Sequence, residues 1–301
     1  MVKWRSYLHG LWLLLRLTPV LAWSGGAFLL AAGLAYRGCA DITWGSALRL
    51  LLVAVIIQGW LAHSLNDRTD WLSGTDQGEA RILSGGSGAV WWGYLPLPHL
   101  YPIAACSFGL VLLLTYRQTQ QLSMYLYLLI GLWGAIAYSH APWCLAYVPL
   151  VGEWGAAFPA IVACGLATYQ GLRQRLDFLP VAGAILHGLF AVAWLMQHHL
   201  PDWQNDLQAK PPKRTTVACV AAQYGLQTAR LVVVAYFLLT AFMAAILSFF
   251  SSRFVWTVSL ALGCALLAYY QDTGNTKQMA WRELQMVGII LFHACLLGWL
   301  L

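Results

Sequence analysis

The chain has 301 residues, of which 60% are hydrophobic and only 9% are charged. Soluble domains carry about 25% charged residues, so 17 basic and 11 acidic side chains cannot cover a protein of 33.3 kDa with polar surface. This composition excludes a soluble enzyme, a disordered chain and a nucleic-acid-binding module. The apolar runs are continuous and about 20 residues long, as membrane-spanning helices require, whereas the strands of a membrane β-barrel alternate with a period of two residues.

The apolar runs predict an all-α integral membrane protein with nine spanning helices, forming one polytopic domain over residues 1–301. Two connections, 66–93 and 199–228, are longer and more polar than the others. The nine spans have these approximate bounds: 11–36, 45–65, 94–116, 122–141, 149–170, 178–198, 229–250, 254–271 and 283–301.

The basic residues predict the orientation. With the N-terminus in the cytosol, nine basic residues fall in cytosolic segments and five on the opposite side. This asymmetry agrees with the positive-inside rule and places both long connections on the cytosolic side.

The first long connection begins with a cluster of acidic residues. If the second span continues as a helix, Asp67 and Asp70 lie three residues apart and share a face. Asn66 adds an amide beside them, and Gly74 permits a turn that brings Asp76 back toward them.

The second long connection repeats the pattern. Asp202 and Asp206 are four residues apart, so they also share a helical face. Lys213 and Arg214 follow them.

Carboxylates packed this closely repel one another unless a cation lies between them. Mg²⁺ prefers such oxygen ligands and binds through a few carboxylates together with substrate phosphates. Two facing sites would form a diphosphate clamp, with further positive charge from Arg68, Arg81, Lys213 and Arg214. The glycine-rich segment 81–88 is interpreted as a lid over this clamp. The plain alternative is that the aspartates cap helices on a solvated surface.

At these residues the sequence resembles the UbiA-type intramembrane prenyltransferases. Residues 66–76 (N-D-x-x-D-x-x-x-G-x-D) are similar to the first aspartate-rich motif of that family, in the form typical of the branch that prenylates dihydroxynaphthoate for menaquinone. Residues 201–206 (P-D-x-x-x-D), followed by 213–215 (K-R-T), are similar to the second motif. Residues 138–153 resemble the segment between the fourth and fifth spans.

The resemblance implies nine helices around a central cavity in a bacterial or archaeal cell membrane. It implies a Mg²⁺-dependent transfer of a prenyl group from a polyprenyl diphosphate to an aromatic or quinone-precursor acceptor, with the lipid tail in an apolar chamber. The implied metal ligands are Asp67, Asp70, Asp76, Asp202 and Asp206, and all of these except Asp76 are also expected to be catalytic. The implied substrate contacts come from Asn66, Arg68, Arg81, Lys213, Arg214, Tyr138, His63 and His198.

The sequence departs from the family pattern at several positions. His63 and His198 stand where the family usually has Asn, ahead of each motif. Cys144 occupies the region where the family often has a basic residue that contacts the acceptor. These departures leave the identity of the acceptor open.

Two other functions remain possible on this pattern. A terpene cyclase would use the same clamp to ionise a prenyl diphosphate and would capture the cation internally. A transporter is disfavoured, because the acids lie at the membrane edge, whereas transporter sites usually lie near the midplane.

Overall fold

The computed structural model describes residues 4–37, 42–77, 85–118 and 121–300. Every regular element in these ranges is a helix. We number the helices in chain order: α1 (Trp4–Leu15), α2 (Leu17–Tyr36), α3 (Trp44–Ser73), α4 (Leu97–Gln118), α5 (Leu122–Ala137), α6 (Glu153–Arg173), α7 (Phe178–His199), α8 (Trp203–Gln208), α9 (Thr216–Tyr224), α10 (Leu226–Ser248), α11 (Ser252–Tyr269) and α12 (Thr276–Leu300).

Within the described ranges, eight helices are long and apolar enough to cross a membrane: α2, α3, α4, α6, α7, α10, α11 and α12. The predicted fourth span corresponds to α5, which has only 16 residues. At 1.5 Å per residue it is about 24 Å long, shorter than a hydrocarbon core of about 30 Å. The chain leaves this helix after Ala137 and turns before Pro142, instead of continuing to residue 141. The all-α membrane fold is confirmed, but the count of nine spanning helices is not.

The predicted first span, 11–36, is divided in two. Arg16 lies between α1 and α2 with φ 46° and ψ 68°, in the left-handed region. A residue with a Cβ atom is strained there by roughly 1–2 kcal/mol. The break turns the Arg16 side chain toward the interior of the bundle.

Helix α7 forms the centre of the bundle. Of its 22 residues, 17 are buried, and its side chains contribute to the two largest apolar clusters of the core.

Small residues let neighbouring helices approach closely. A Cβ atom added at Gly134 on α5 would lie 2.6 Å from the Cβ of Ala160 and 2.9 Å from the carbonyl of Ala156, both on α6.

Helix α3 continues past the predicted end of the second span, so Asp67 and Asp70 are helical as expected. It ends at Gly74, whose φ of 90° only glycine adopts without strain. The amide of Asp76 then donates a hydrogen bond to the carbonyl of Asp70 over 3.2 Å, which folds the chain back toward the helix. Asp206 lies on α8, and Asp202 directly precedes that helix.

Candidate active site

A large cavity of about 1660 Å³, including the open space at its mouth, runs through the bundle. Both aspartate clusters line one end, and Arg49 and Gln118 line the other. Arg49 precedes Asn66, at the acidic end, by 17 residues of helix α3, which corresponds to about 26 Å along the axis. The wall between the two ends is mainly apolar and includes Leu50, Val53, Ala54, Ile57, Leu128 and Ile161.

Asp70, a carboxylate of the first cluster, has three hydrogen-bond donors among the described residues, and only 3% of it is exposed. It accepts hydrogen bonds from Lys213 Nζ at 2.6 Å, Asn66 Nδ2 at 3.0 Å and the Tyr147 hydroxyl at 3.1 Å. Two of these donors, Lys213 and Tyr147, come from segments far away in the sequence. The fold therefore assembles this part of the site from three separate regions.

Asp67 and Asp76 lie beside Gly86 and Ser87, which precede α4. The backbone amide of Ser87 donates to Asp67 Oδ2 at 3.2 Å, and the Ser87 hydroxyl also donates to that oxygen. A Cβ atom added at Gly86 would overlap the Asp76 carboxylate and lie 3.5 Å from Asp67 Oδ1. Burial raises the pKa of Asp76, and the charges of Asp70 and Asp67 raise it further. A cation at this position would relieve the repulsion.

The second cluster contributes a carboxylate with an unused acceptor. Asp206 is 2% exposed, and its Oδ2 atom has no hydrogen-bond partner among the described residues. Burial raises the pKa of Asp206; Lys213 opposes this shift, whereas Asp202 and Asp70 add to it. Asp202 accepts a hydrogen bond from the backbone amide of Gly85 at 3.2 Å.

Lys213 connects the two clusters. Its backbone amide donates to the Asp206 carbonyl at 2.7 Å, while its ammonium group contacts Asp70. Burial alone would lower the pKa of Lys213, but Asp70 and Asp206 outweigh this effect and raise it. A buried, charged ammonium therefore lies between carboxylates from both motifs.

Gly85 and Ser87 also join the two clusters, because their amides donate to Asp202 and Asp67 respectively. The interpretation of the whole segment as a lid stays a prediction. Arg81, the predicted diphosphate contact of that segment, lies outside the described residues.

Among the described side chains, no group of three or more His, Cys, Asp or Glu residues is arranged to hold a metal ion by itself. Mg²⁺ does not need such a cage, because it usually binds through one or two carboxylates, waters and substrate phosphates. The unpartnered Oδ2 atom of Asp206 fits this mode of binding. The carboxylates of Asp67 and Asp76, which both lie beside Gly86, fit it as well.

The predicted basic contacts differ in their placement. Lys213 reaches the clamp, but Arg214 is exposed. The guanidinium carbon of Arg68 lies 3.9 Å from the centroid of the Tyr101 ring, and Arg68 does not line the cavity. Arg68 is therefore not brought to the clamp, since its position on α3 directs it toward α4.

The two predicted histidines and Tyr138 all line the cavity. His63 Nδ1 lies 3.1 Å from the carbonyl of Leu14, which leaves this histidine as a link between α3 and α1. The Tyr138 hydroxyl lies 3.3 Å from His199 Nε2.

His198 takes part in a different network. Its Nδ1 lies 2.8 Å from Glu283 Oε1 on α12, and its Nε2 lies 3.2 Å from Arg16 Nη2. The other terminal nitrogen of Arg16 is 3.4 Å from Asn66 Oδ1 and 3.9 Å from Asp67 Oδ1.

Four residues of this site were not predicted from the sequence: Arg16, Glu283, Tyr147 and Ser87. A signal existed for Arg16, because a charged residue inside an apolar span suggests a functional role. Glu283 lies at the start of the predicted ninth span, so it looked like an ordinary helix-end residue. Tyr147 lies in the segment 138–153 that resembles the family, but its contact with Asp70, like that of Ser87 with Asp67, depends on the tertiary fold.

The bundle and its acidic, cation-lined cavity mouth define a polytopic membrane protein of a recognisable fold. The chain has the fold of UbiA homologues. It is similar to a UbiA homologue from Archaeoglobus fulgidus bound to GPP and Mg²⁺, with a TM-score of 0.68 and 12% identity over 95% of this chain and 99% of that chain. The same homologue bound to DMAPP and Mg²⁺ gives a TM-score of 0.67 and 12% identity over 94% and 98%. The apo UbiA homologue from Aeropyrum pernix K1 gives a TM-score of 0.58 and 13% identity over 93% and 95%.

Comparison with protein-family models gave no match, and neither did comparison with curated proteins. At 12–13% identity the solved structures establish the fold.

Proposed function

We propose that this protein is a Mg²⁺-dependent intramembrane prenyltransferase. It would transfer a prenyl group from a polyprenyl diphosphate to an aromatic or quinone-precursor acceptor. The observation that carries the proposal is the meeting of both aspartate clusters and Lys213 at the mouth of one long apolar cavity. The presence of GPP or DMAPP and Mg²⁺ in the solved homologues supports this proposal.

The metal would be held by Asp67, Asp70 and Asp76 on one side and by Asp202 and Asp206 on the other. When bound, Mg²⁺ supplies positive charge that neutralises the diphosphate as it leaves.

Residues of the chain would add to this charge stabilisation. Lys213 and Arg16 carry positive charges at the cavity mouth, and the amides of Gly85 and Ser87 can donate to phosphate oxygens once they release their carboxylates. Such preorganised donors stabilise the charge that develops on a leaving group.

The apolar cavity would bind the prenyl chain and keep water from the allylic cation. Trp23 and Trp194 line it with ring centroids 6.3 Å apart in an edge-to-face arrangement. Their ring faces can stabilise a carbocation by cation–π interaction. The two ends of the cavity lie about 26 Å apart along α3, which suits a donor of several isoprene units.

The test is product analysis of purified protein in liposomes with Mg²⁺, a prenyl diphosphate and a panel of hydroxyarene acceptors, including dihydroxynaphthoate. We expect a prenylated acceptor from the wild type and none from Asp70→Asn, whereas Asp272→Asn in an exposed turn should retain activity. A terpene formed equally well without any acceptor would favour the cyclase. Absence of diphosphate release with every donor would reject both functions.

A further inference from the structure

The two ring nitrogens of His198 have partners with opposite hydrogen-bonding roles. A carboxylate only accepts hydrogen bonds and a guanidinium only donates them. Nδ1, which faces Glu283, must therefore carry the proton, and Nε2, which faces Arg16, must present its lone pair. This pair of partners favours the tautomer in which Nε2 of His198, a residue that lines the cavity, can accept a proton.

Glu283 is an unusual partner for a merely structural histidine. It is 1% exposed, and its Oε2 atom has no hydrogen-bond partner among the described residues. Burying a carboxylate against a neutral ring leaves much of its desolvation cost uncompensated. The arrangement becomes favourable when the imidazole gains a proton, because the carboxylate then faces an adjacent positive charge.

Arg16 covers the lone pair of His198, with its Nη2 atom 3.2 Å from Nε2. The same guanidinium approaches Asn66 and Asp67 at the edge of the clamp. A hydrogen bond from a guanidinium to a phosphate is charge-assisted and stronger than one to a neutral imidazole. A donor diphosphate at the clamp would therefore draw Arg16 away and expose Nε2 to the cavity.

We propose that His198, oriented by Glu283, accepts the proton that the aromatic acceptor loses on prenylation, and that Arg16 covers this base until the donor binds. The proposal rests on the proposed prenyl transfer. The donor carbon–oxygen bond breaks and its electron pair leaves with diphosphate. As a ring carbon of the hydroxyarene bonds to the allylic carbon, the hydroxyl proton passes to His198 Nε2. The ring hydrogen then moves to the oxygen, so the products are a prenylated hydroxyarene, diphosphate and one proton.

His198 is the catalytic residue in this scheme, and Glu283 is a positioning residue. His198→Gln should keep most of the diphosphate release but lower prenyl transfer about 100-fold, the usual contribution of a general base. The prenyl cation should then be captured by water as prenyl alcohol. Glu283→Gln preserves the shape and should lower kcat for transfer about 10-fold without changing KM for the donor. The matched control is His293→Gln, a buried histidine that bonds Thr257 over 3.1 Å and does not line the cavity.

A series of acceptors separates this role from a structural one. The His198→Gln defect should shrink strongly for acceptors whose hydroxyl is already ionised at the assay pH, because these need no base. A defect of equal size for every acceptor would overturn the proposal, as would wild-type transfer by either variant. If the wild type releases no diphosphate from any donor, the proposed function itself fails. If His198→Gln releases diphosphate and prenylates the acceptor as the wild type does, the role of His198 as a base is rejected, but the proposed prenyl transfer is not.

The covering step has its own test. His198 should react faster with diethyl pyrocarbonate in Arg16→Gln than in the wild type without donor, as followed by peptide mass spectrometry. A prenyl thiolodiphosphate with Mg²⁺ should accelerate the reaction in the wild type. Equal rates in all three samples would show that Arg16 does not cover the base.

Discussion

Lys213 is the residue on which both halves of the candidate site meet. The sequence assigned comparable roles to Lys213 and Arg214, and only the tertiary structure separates them. Lys213 is buried at 2.6 Å from Asp70, whereas Arg214 is exposed. The difference arises because the chain after α8 directs only one of the two side chains inward.

Replacing Lys213 with Met should remove the link between the clusters. Losing one partner of a buried ion pair costs about 3–5 kcal/mol, so the variant should unfold at a lower temperature than the wild type in EDTA. Mg²⁺ should restore more stability to the variant than to the wild type, because a cation again faces Asp70 and Asp206. Thermal unfolding with and without Mg²⁺ measures both effects, and Arg214→Ala is the control, with a much smaller loss. Equal losses for the two variants would contradict the assignment.

Asp206→Asn should stabilise the fold while it removes activity. Burial raises the pKa of Asp206, so at neutral pH the charged carboxylate costs stability that a neutral amide of the same shape does not. A gain of about 1 kcal/mol would raise Tm by a few degrees. The gain should disappear as the pH falls below the ordinary carboxyl range, because the aspartate is then protonated in both the folded and unfolded states. Melting curves of the two proteins in EDTA across this pH range test the sign.

At the scale of elements, residues 85–87 border the site through their backbone. Gly86 has φ 76°, and an added Cβ atom would overlap the Asp76 carboxylate. Gly86→Ala should therefore displace Asp76 and strongly reduce Mg²⁺-dependent activity. Gly93→Ala is a matched control, since Gly93 also has positive φ, 67°, but an added Cβ atom meets nothing within 4 Å. If both variants lose activity to a similar degree, the loss comes from backbone strain and not from displacement of Asp76.

The helices show how much of the structure the sequence could predict. Each of the nine predicted apolar runs coincides with a helix of the described residues, although only eight of these helices are long enough to span a membrane. Helical spacing correctly placed Asp67 with Asp70 on α3, and Asp202 one turn before Asp206 at the start of α8. The break at Arg16 was missed because its left-handed backbone conformation has no glycine to signal it. The link from His198 to Glu283 was missed because α7 and α12 lie 85 residues apart at this contact. The spacing of residues along the sequence predicts which side chains share a helical face. Which other helix that face contacts depends on how the helices pack.

At the scale of the whole molecule, the orientation in the membrane remains a prediction from the distribution of basic residues. Single cysteines at the exposed positions Gln77 and Lys210, each next to one cluster, should both react with a membrane-impermeant reagent from the cytosolic side. A cysteine at Phe249, which is 90% exposed at the end of α10, should react from the other side. Labelling of positions 77 and 210 from opposite sides would contradict a single site at one membrane face.

The central claim is that both aspartate clusters form one Mg²⁺-dependent site for a diphosphate. Equilibrium binding of a prenyl thiolodiphosphate to the purified protein tests it without relying on turnover or on the acceptor. We expect affinity to fall at least about 100-fold in EDTA, and to fall to a similar degree in Asp70→Asn and in Asp206→Asn with Mg²⁺ present. Tight binding in EDTA, or a loss confined to one of the two variants, would contradict the account.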